Sequence, residues 1–290
     1  MSSIINLTGK YIVQNGYNNV LRYEFPNSSV NFKDTEIAIS NIQMYNSQFN
    51  IHANQYNNNK FTIEMPTGAT TTLINITLND GYYSYTDINK YIMLQLIASG
   101  AYLIDNNNNN VFYIQLSANQ TYYAAQIDLS PVPTALPVGW TRPTTGFYSA
   151  GGSGLPSTSY VPRIIVPQSF NNIIGFSTGT FPASAQTTSQ TFISTITPQI
   201  NPVSNYIVRC NLINNPFSTP PDVITSFTSQ GTSIGQVIDV QPNEYAWLAV
   251  ADGVRPYIEV IIVDQNERFV KFQDPSINIQ ILVRQKETKK

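Results

Sequence analysis

Few residues in this chain have the chemistry that catalysis or metal binding requires. His52 is the only histidine and Cys210 the only cysteine, so neither a histidine-rich zinc site nor an internal disulfide can form. A Cys210–His52 pair is the one thiol dyad that the sequence allows. Cys210, however, stands inside the strand-like segment 206–213, a position typical of a buried structural thiol. The sequence therefore predicts no catalytic residue.

The 17 acidic residues also give little indication of an active site. A glycosidase would need a pair of facing carboxylates, whereas the acids here fall mainly at predicted turns, where Asp is favoured. Segment 264–267 superficially resembles a calcium loop but lacks the glycine and the terminal glutamate spacing of an EF-hand, so a hairpin turn is predicted there. No glycine-rich phosphate loop occurs. We expect no cofactor and no metal. The acids at predicted turns are Asp80, Asp105, Asp252, Asp264 and Asp274.

One helix stands out among the elements that would position these residues. Segment 81–100 has Ser84 as a predicted N-cap, an acid at Asp87 and a glycine at Gly100, where a left-handed C-terminal residue belongs. From 91 to 97 apolar residues surround nearly the whole helix, which predicts that its second half is buried. The residues that recur at helical spacing are Ile88, Tyr91, Ile92 and Leu96.

The remaining chain alternates as short strands separated by turn residues. The clearest strand is 34–46, in which the alternation slips by one residue between Ile39 and Ile42. The asparagines at 106–110 predict a hairpin loop, and 173–176 is strand-like. About a dozen strands at this spacing predict an all-β fold, a single jelly-roll β-sandwich with one short helix. The predicted core comprises Ile37, Ile39, Ile63, Ile76, Ile92, Leu96, Ile261, Val263, Ile279 and Ile281.

Composition along the chain predicts five parts. Residues 1–15 show no clear period and are interpreted as an N-terminal arm that becomes ordered against a partner. Segments 16–129 and 203–284 form the first and second parts of the jelly roll. Segment 130–202, rich in Pro, Gly and Thr, is interpreted as an insertion with long loops. Residues 285–290 form a charged tail.

The charge content favours some classes of function over others. Only 11% of residues are charged and the net charge is −2, which argues against a general nucleic-acid binder. A surface of amides and hydroxyls loses less solvation energy than a charged one when a partner covers it, which favours an assembly protein. No apolar run could span a bilayer. The first residues do not resemble a signal peptide, so we expect folding inside a cell rather than secretion.

Several segments in this order resemble the penton, or vertex, capsid proteins of virophages and of the related Maverick/Polinton elements. None of these segments carries catalytic residues, and together they cover most of the chain from residue 34 onward. The segments are EIAISNIQMYNSQFNI (36–51), LNDGYYSYTDINKYI (78–92), FNNIIGFSTGTFP (170–182), IVRCNLINN (207–215) and VIIVDQNERFVKFQDPSINIQILVR (260–284).

The resemblance implies a structural capsid protein without enzymatic activity. Its jelly roll would assemble as a homopentamer at the five-fold vertices of an icosahedral virion, next to trimers of a double-jelly-roll major capsid protein. An insertion would lie on the outer face, where a host surface receptor could bind, and 130–160 is our candidate for part of it. The chain has no Arg-Gly-Asp triplet, so integrin-type binding cannot be transferred from related pentons.

Two other classes of function remain open at this stage. Clustered tyrosines could form a sugar platform in a carbohydrate-binding β-sandwich, such as a viral fibre or attachment domain, although on a sheet they are more often cross-strand packing. A jelly-roll glycosidase is the third class. Binding to a glycan array would distinguish a carbohydrate-binding domain from a capsid protein, and the mass in solution bears on all three classes.

Overall fold

A computed structural model describes residues 2–286 and divides the chain into two compact units. Unit 1 is built from the described residues up to Phe49 and from Val203 onward, and unit 2 is Asn50–Pro202. Both consist mainly of antiparallel strands, with two α-helices among the described residues, α1 (Tyr85–Ala98) and α2 (Gln168–Ile174). The all-β prediction is confirmed.

The strands are numbered in chain order. They are β1 (Ser2–Thr8), β2 (Val20–Glu24), β3 (Val30–Phe32), β4 (Thr35–Tyr45), β5 (Lys60–Thr67), β6 (Thr70–Thr77), β7 (Leu103–Ile104), β8 (Asn110–Val111), β9 (Ile114–Asn119), β10 (Ala124–Leu129), β11 (Arg163–Val166), β12 (Gly179–Phe181), β13 (Gln190–Ile193), β14 (Tyr206–Cys210), β15 (Val223–Phe227), β16 (Val237–Val240), β17 (Leu248–Ala249), β18 (Gly253–Arg255), β19 (Tyr257–Asp264) and β20 (Asn278–Gln285).

Unit 1 is a sandwich of two antiparallel sheets. One sheet has the order β1-β20-β4-β16, with β17 also on β4, and the other has the order β15-β14-β19-β2. The chain passes repeatedly from one sheet to the other, as in a jelly roll. One core contains residues of both sheets, among them Leu7, Ile42, Val208 and Val260. Strands β3 and β18 form a separate two-stranded ribbon.

The slip in the alternation of 34–46 is a β-bulge. Gln280 pairs with Asn41 and Ile281 pairs with Ile39, which leaves Ser40 without an opposite residue. Because of the extra residue, the apolar side chains after the bulge point into the core, as those before it do. The buried side chains are Ile37, Ile39, Ile42 and Met44. The Ser40 hydroxyl donates to the Gln280 carbonyl at 3.2 Å.

Nine of the ten predicted core residues are buried, although Val263, on the odd-numbered face of its strand, is not part of the packed core of unit 1. The exception is Ile261. This residue is half-buried, whereas Ile258, Val260 and Ile262 on the same strand are fully buried. Side chains alternate along a strand, and the core face of β19 is the one with even numbers. The prediction was wrong because the run of apolar residues at 260–263 hides the period.

The N-terminal stretch is a strand rather than a loose arm. β1 pairs antiparallel with β20 over all seven of its residues, Leu7 is completely buried, and Ile12 is buried next to it in the core of unit 1. The sequence did not show this because the partner strand lies at the other end of the chain. Of the predicted tail, residues 287–290 lie outside the described residues.

Unit 2 has its own core between a four-stranded sheet, β12-β11-β5-β6, and a three-stranded sheet, β13-β10-β9. Helix α1 packs against β6 and β9, and β7 and β8 form the hairpin predicted around the asparagines at 106–110. The compact unit begins at Asn50, whereas the sequence placed the start of an insertion at 130.

Helix α1 begins as predicted but is less buried than predicted. The Ser84 hydroxyl accepts from the Asp87 backbone N–H at 3.2 Å, and the Asp87 carboxylate accepts from the Ser84 N–H at 3.1 Å, which completes a capping box. Leu94 and Ile97 are exposed, so the expectation of an all-round buried second half was wrong. The buried residues of the helix form one stripe, Ile88, Asn89, Ile92 and Leu96.

Helix α2 replaces the strand predicted at 173–176. Phe170, Ile173 and Ile174 are buried at helical spacing, and the helix ends at Gly175, whose φ of +69° only glycine adopts at little cost. Seven residues are too few for periodicity to distinguish a helix from a strand. The C-terminal glycine was the available signal.

Segment 130–159 packs into unit 2 instead of projecting from it. Val132, Tyr148 and Leu155 are buried, with Tyr148 fully so, and the Tyr148 hydroxyl donates to the Pro66 carbonyl at 2.9 Å. The Pro, Gly and Ser content reflects irregular backbone here, in which many exposed residues are mixed with these buried ones. Shortening 140–155 to a linker would remove Tyr148 from the core and should therefore destabilise unit 2.

Candidate assembly surface

Strand β1 is an open edge of its sheet without the usual protection. It has a partner strand on one side only, and its sequence, SSIINLT, contains no charged residue and no proline. Leu7 points into the core. The side chain of Ile4 lies on the opposite face of the strand and is 65% exposed. Natural sheets usually block such edges with charges, prolines or bulges. An uncharged edge with an exposed isoleucine is therefore suited to being covered by another chain.

Strand β15 is the second uncharged edge of unit 1. Its sequence, VITSF, also lacks charge and proline. Of the other edge strands, β2 has the Arg22–Glu24 ion pair at 2.8 Å and β16 has an exposed aspartate, Asp239. The remaining one, β17, has only two residues. Among the described strands of these two sheets, β1 and β15 are thus the edges best suited to pairing.

A turn before β15 presents Phe217 to solvent. The side chain is 97% exposed, although the turn itself is fixed by hydrogen bonds. The Asn215 side-chain oxygen accepts from the Phe217 N–H at 3.0 Å, and the Ser218 hydroxyl donates to the Pro220 carbonyl at 2.8 Å. Because the backbone of this turn is already ordered, mainly the side-chain rotamers of Phe217 lose freedom when a partner buries the ring.

The two uncharged edges lie on opposite flanks of the sandwich. β1 contacts β2, whereas β15 contacts β4, and β2 and β15 are the two ends of the same sheet. We call the β1 edge with Ile4 flank A, and the β15 edge with the Phe217 turn flank B. The ion pair next to flank B, Arg209–Asp222 at 2.9 Å, is internally satisfied, so covering flank B leaves no charge unpaired.

Cys210 and His52, the residues of the possible thiol dyad, belong to different units. Cys210 is fully buried on β14 in unit 1. His52 is buried in unit 2, where its Nδ1 lies 3.4 Å from an Asp80 carboxylate oxygen and 3.3 Å from the Gln55 backbone nitrogen. The surrounding hydrogen bonds hold the 50–59 loop, including the bond from the His52 N–H to the Asn58 side-chain oxygen at 2.9 Å.

Burial is the main cause that raises the pKa of the Cys210 thiol to about 12; a backbone hydrogen bond at Leu212 lowers it and the Asp222 carboxylate raises it, both by less. The unfolded thiol titrates near 8.5, so the fold favours the protonated form. This contribution to stability is complete below about pH 8.5 and is lost as the pH rises toward the folded value.

We therefore expect the folded chain to resist iodoacetamide at pH 8 and to react only as urea unfolds unit 1. Cys210→Ser should flatten the decline in stability between pH 8 and 10, because it removes the titrating group. The measurements are alkylation followed by mass spectrometry and urea unfolding at several pH values. Rapid stoichiometric alkylation of the folded chain would contradict the burial described.

The acids predicted at turns have local roles. The Asp264 carboxylate accepts from the Asn266 and Arg268 backbone N–H groups at 2.8 and 2.9 Å and pairs with the Arg268 side chain. This confirms the hairpin turn at 264–267. The Asp105 carboxylate accepts from the Asn107 and Asn109 N–H groups at 2.8 Å, and these bonds, led by that from Asn109, lower its pKa.

Within residues 2–286, no group of three or more His, Cys, Asp or Glu side chains is placed to hold a metal ion. None of the helices described there has the length and apolar character needed to cross a bilayer. Flank A could not be predicted from the sequence, since residues 1–15 show no clear period, and no local signal distinguishes Phe217 from other aromatic residues.

No known family model and no curated protein sequence matches this chain. Among solved structures, the chain is similar to the crystal structure of a selenomethionine-labelled mavirus penton protein. The match covers 98% of each chain, with a TM-score of 0.43 and 10% sequence identity. Likeness at this level decides neither fold nor function, and the all-β assignment comes from the strands themselves.

Proposed function

We propose that this protein is a structural capsid component that forms the pentameric vertex of an icosahedral virion. The observation that carries the proposal is the pair of uncharged open edges, β1 and β15, on opposite flanks of unit 1. The order of the sequence segments that resemble virophage pentons supports the vertex in particular. The proposed location is the capsid, after assembly inside the host cell.

The occupant of each flank is a second copy of this chain. Flank A of one subunit pairs with flank B of the next, so that the β1 edge adds a strand to the neighbouring β15 edge and Phe217 is buried. Contacts of this kind are heterologous, and they close a ring when the rotation between subunits is right. Pairing of flank A with flank A would instead be isologous and would give a dimer.

The ring size comes from the resemblance, not from the contact geometry. Five copies match the symmetry of an icosahedral vertex. The surfaces outside the flanks would meet the major capsid protein, and the low charge of the chain, 11% of residues, reduces the desolvation cost of such contacts.

We expect Ile4→Lys to shift the protein from rings to monomers, with an apparent association constant at least tenfold lower, because the change places a charge on the pairing edge. Ile4 is largely exposed, so unit 1 should remain folded. Val254→Lys is the matched control, since Val254 is similarly exposed, at 62%, on the separate β3–β18 ribbon. Size-exclusion chromatography with light scattering measures the change.

Mixing two variants tests whether the contact is heterologous. Ile4→Lys keeps flank B and Phe217→Asp keeps flank A, so each alone should be monomeric while an equimolar mixture forms a heterodimer. Failure of the mixture to associate, or an unchanged ring for Ile4→Lys, would show that the two flanks do not meet.

A further inference from the structure

A small pocket in unit 2 lies beside the turn between β9 and β10. It has a volume of about 200 Å³, below the range of about 300–1,000 Å³ of drug-sized sites, and is suited to a single small ring. None of the residues that line it is formally charged. They include Tyr85, Asn119, Gln120, Tyr123, Pro198 and Ile200.

Tyr123 occupies a backbone conformation that tyrosine rarely adopts. Its φ and ψ are both 50°, in the left-handed region, where glycine or asparagine is the usual residue. Its side chain is nevertheless 76% exposed, so packing within the unit does not explain why tyrosine stands here. Strained residues of this kind concentrate at binding sites.

The surrounding turn fixes Tyr123 in place. The Tyr123 N–H donates to the Gln120 carbonyl at 3.4 Å. The Asn119 side-chain oxygen accepts from the Tyr122 N–H at 3.3 Å, and its amide nitrogen donates to the Gln126 side-chain oxygen at 2.7 Å. The backbone on this side of the pocket is therefore ordered before a ligand binds, which reduces the ordering cost of binding.

The opposite wall is similarly fixed. The Tyr85 hydroxyl donates to the Ile173 carbonyl at 3.0 Å, which holds the ring at the pocket, next to Pro198 and Ile200. The Gln120 side chain is exposed at the rim and offers an amide donor and an acceptor. Aromatic and aliphatic walls with an amide at the rim match a ligand that has an apolar face and several hydroxyl groups.

We propose that this pocket binds one neutral hexopyranose ring of a glycan. The apolar face of the sugar packs on Tyr123 and its hydroxyl groups bond to the amide at the rim. A sialic acid is disfavoured because the lining offers no cation for its carboxylate. A proline-rich peptide is also disfavoured, because such peptides lie along an extended aromatic groove instead of in a pocket for one ring.

Binding can be tested on the purified 290-residue chain, independently of its assembly state. The probes are methyl galactoside, methyl glucoside, N-acetylglucosamine, sialic acid and a short polyproline peptide, each titrated to about 10 mM and followed by saturation-transfer NMR. We expect saturable binding of at least one neutral sugar, with neither sialic acid nor the peptide binding more tightly.

Tyr123→Ala should weaken that binding at least tenfold, because it removes the stacking surface. Tyr122→Ala is the matched control, since Tyr122 is adjacent and 68% exposed but does not line the pocket; binding should change less than twofold. Tyr123→Asn is a second variant. Asparagine tolerates the left-handed backbone, so this chain should fold normally and should also lose binding. Absence of saturable sugar binding, tighter binding of sialic acid or peptide, or equal losses for both tyrosines would overturn the proposal.

Discussion

Ile92→Asp is expected to unfold unit 2, whereas Leu94→Asp on the same helix should leave it intact. Ile92 is completely buried in the core of unit 2, and Leu94 is 59% exposed. An unpaired carboxylate at Ile92 would cost several kcal/mol against a typical stability of roughly 5–15 kcal/mol. The same charge at Leu94 stays in water, so a change below about 0.5 kcal/mol is expected there.

Hydrogen exchange followed by mass spectrometry is the suitable measurement, because a chain with two units need not unfold in one step. Peptides from α1, β5 and β6 should lose protection in Ile92→Asp and keep it in Leu94→Asp. Equal protection in the two variants would mean that α1 does not insert the Ile92 stripe into the core.

Deleting residues 2–12 is expected to destabilise unit 1 severely. The deletion removes the strand that pairs with β20 together with Leu7 and Ile12, both buried in the core of unit 1. Truncating a buried Leu or Ile side chain to Ala alone costs about 2–5 kcal/mol, and here β20 would also become an exposed edge. We expect lost protection in peptides from β20 and β4, and aggregation on concentration.

A point-mutant pair in the same strand serves as the control for this deletion. Leu7→Ala should reproduce much of the loss of stability, whereas Ile4→Ala, at an exposed position, should change it by less than about 0.5 kcal/mol. A deleted chain that keeps the protection of β20 would mean that the N-terminal residues behave as the loose arm expected from the sequence.

Local features of the fold could be predicted from the sequence because their causes are local. The capping box of Ser84 and Asp87 and the break in alternation at Ser40 each act over a few residues. The exposed Leu94 and the half-buried Ile261 could not be predicted, because only the packing of distant elements decides which side of an apolar run faces the core.

The candidate assembly surface could not be predicted from the sequence either. Strand β1 is recognisable only through its pairing with β20, at the other end of the chain. The placement of β1 and β15 on opposite flanks depends on the order of strands in two sheets. Pairings between distant segments give no signal in local composition. The prediction of a loose N-terminal arm at 1–15 was wrong for this reason.

Native mass spectrometry of the purified 290-residue chain tests the assembly proposal most directly. A closed ring predicts a dominant species at five times the chain mass of 32.3 kDa, without a ladder of larger oligomers. A protein that stays monomeric at high concentration, or one that stops at a dimer, would contradict the head-to-tail vertex ring proposed for unit 1.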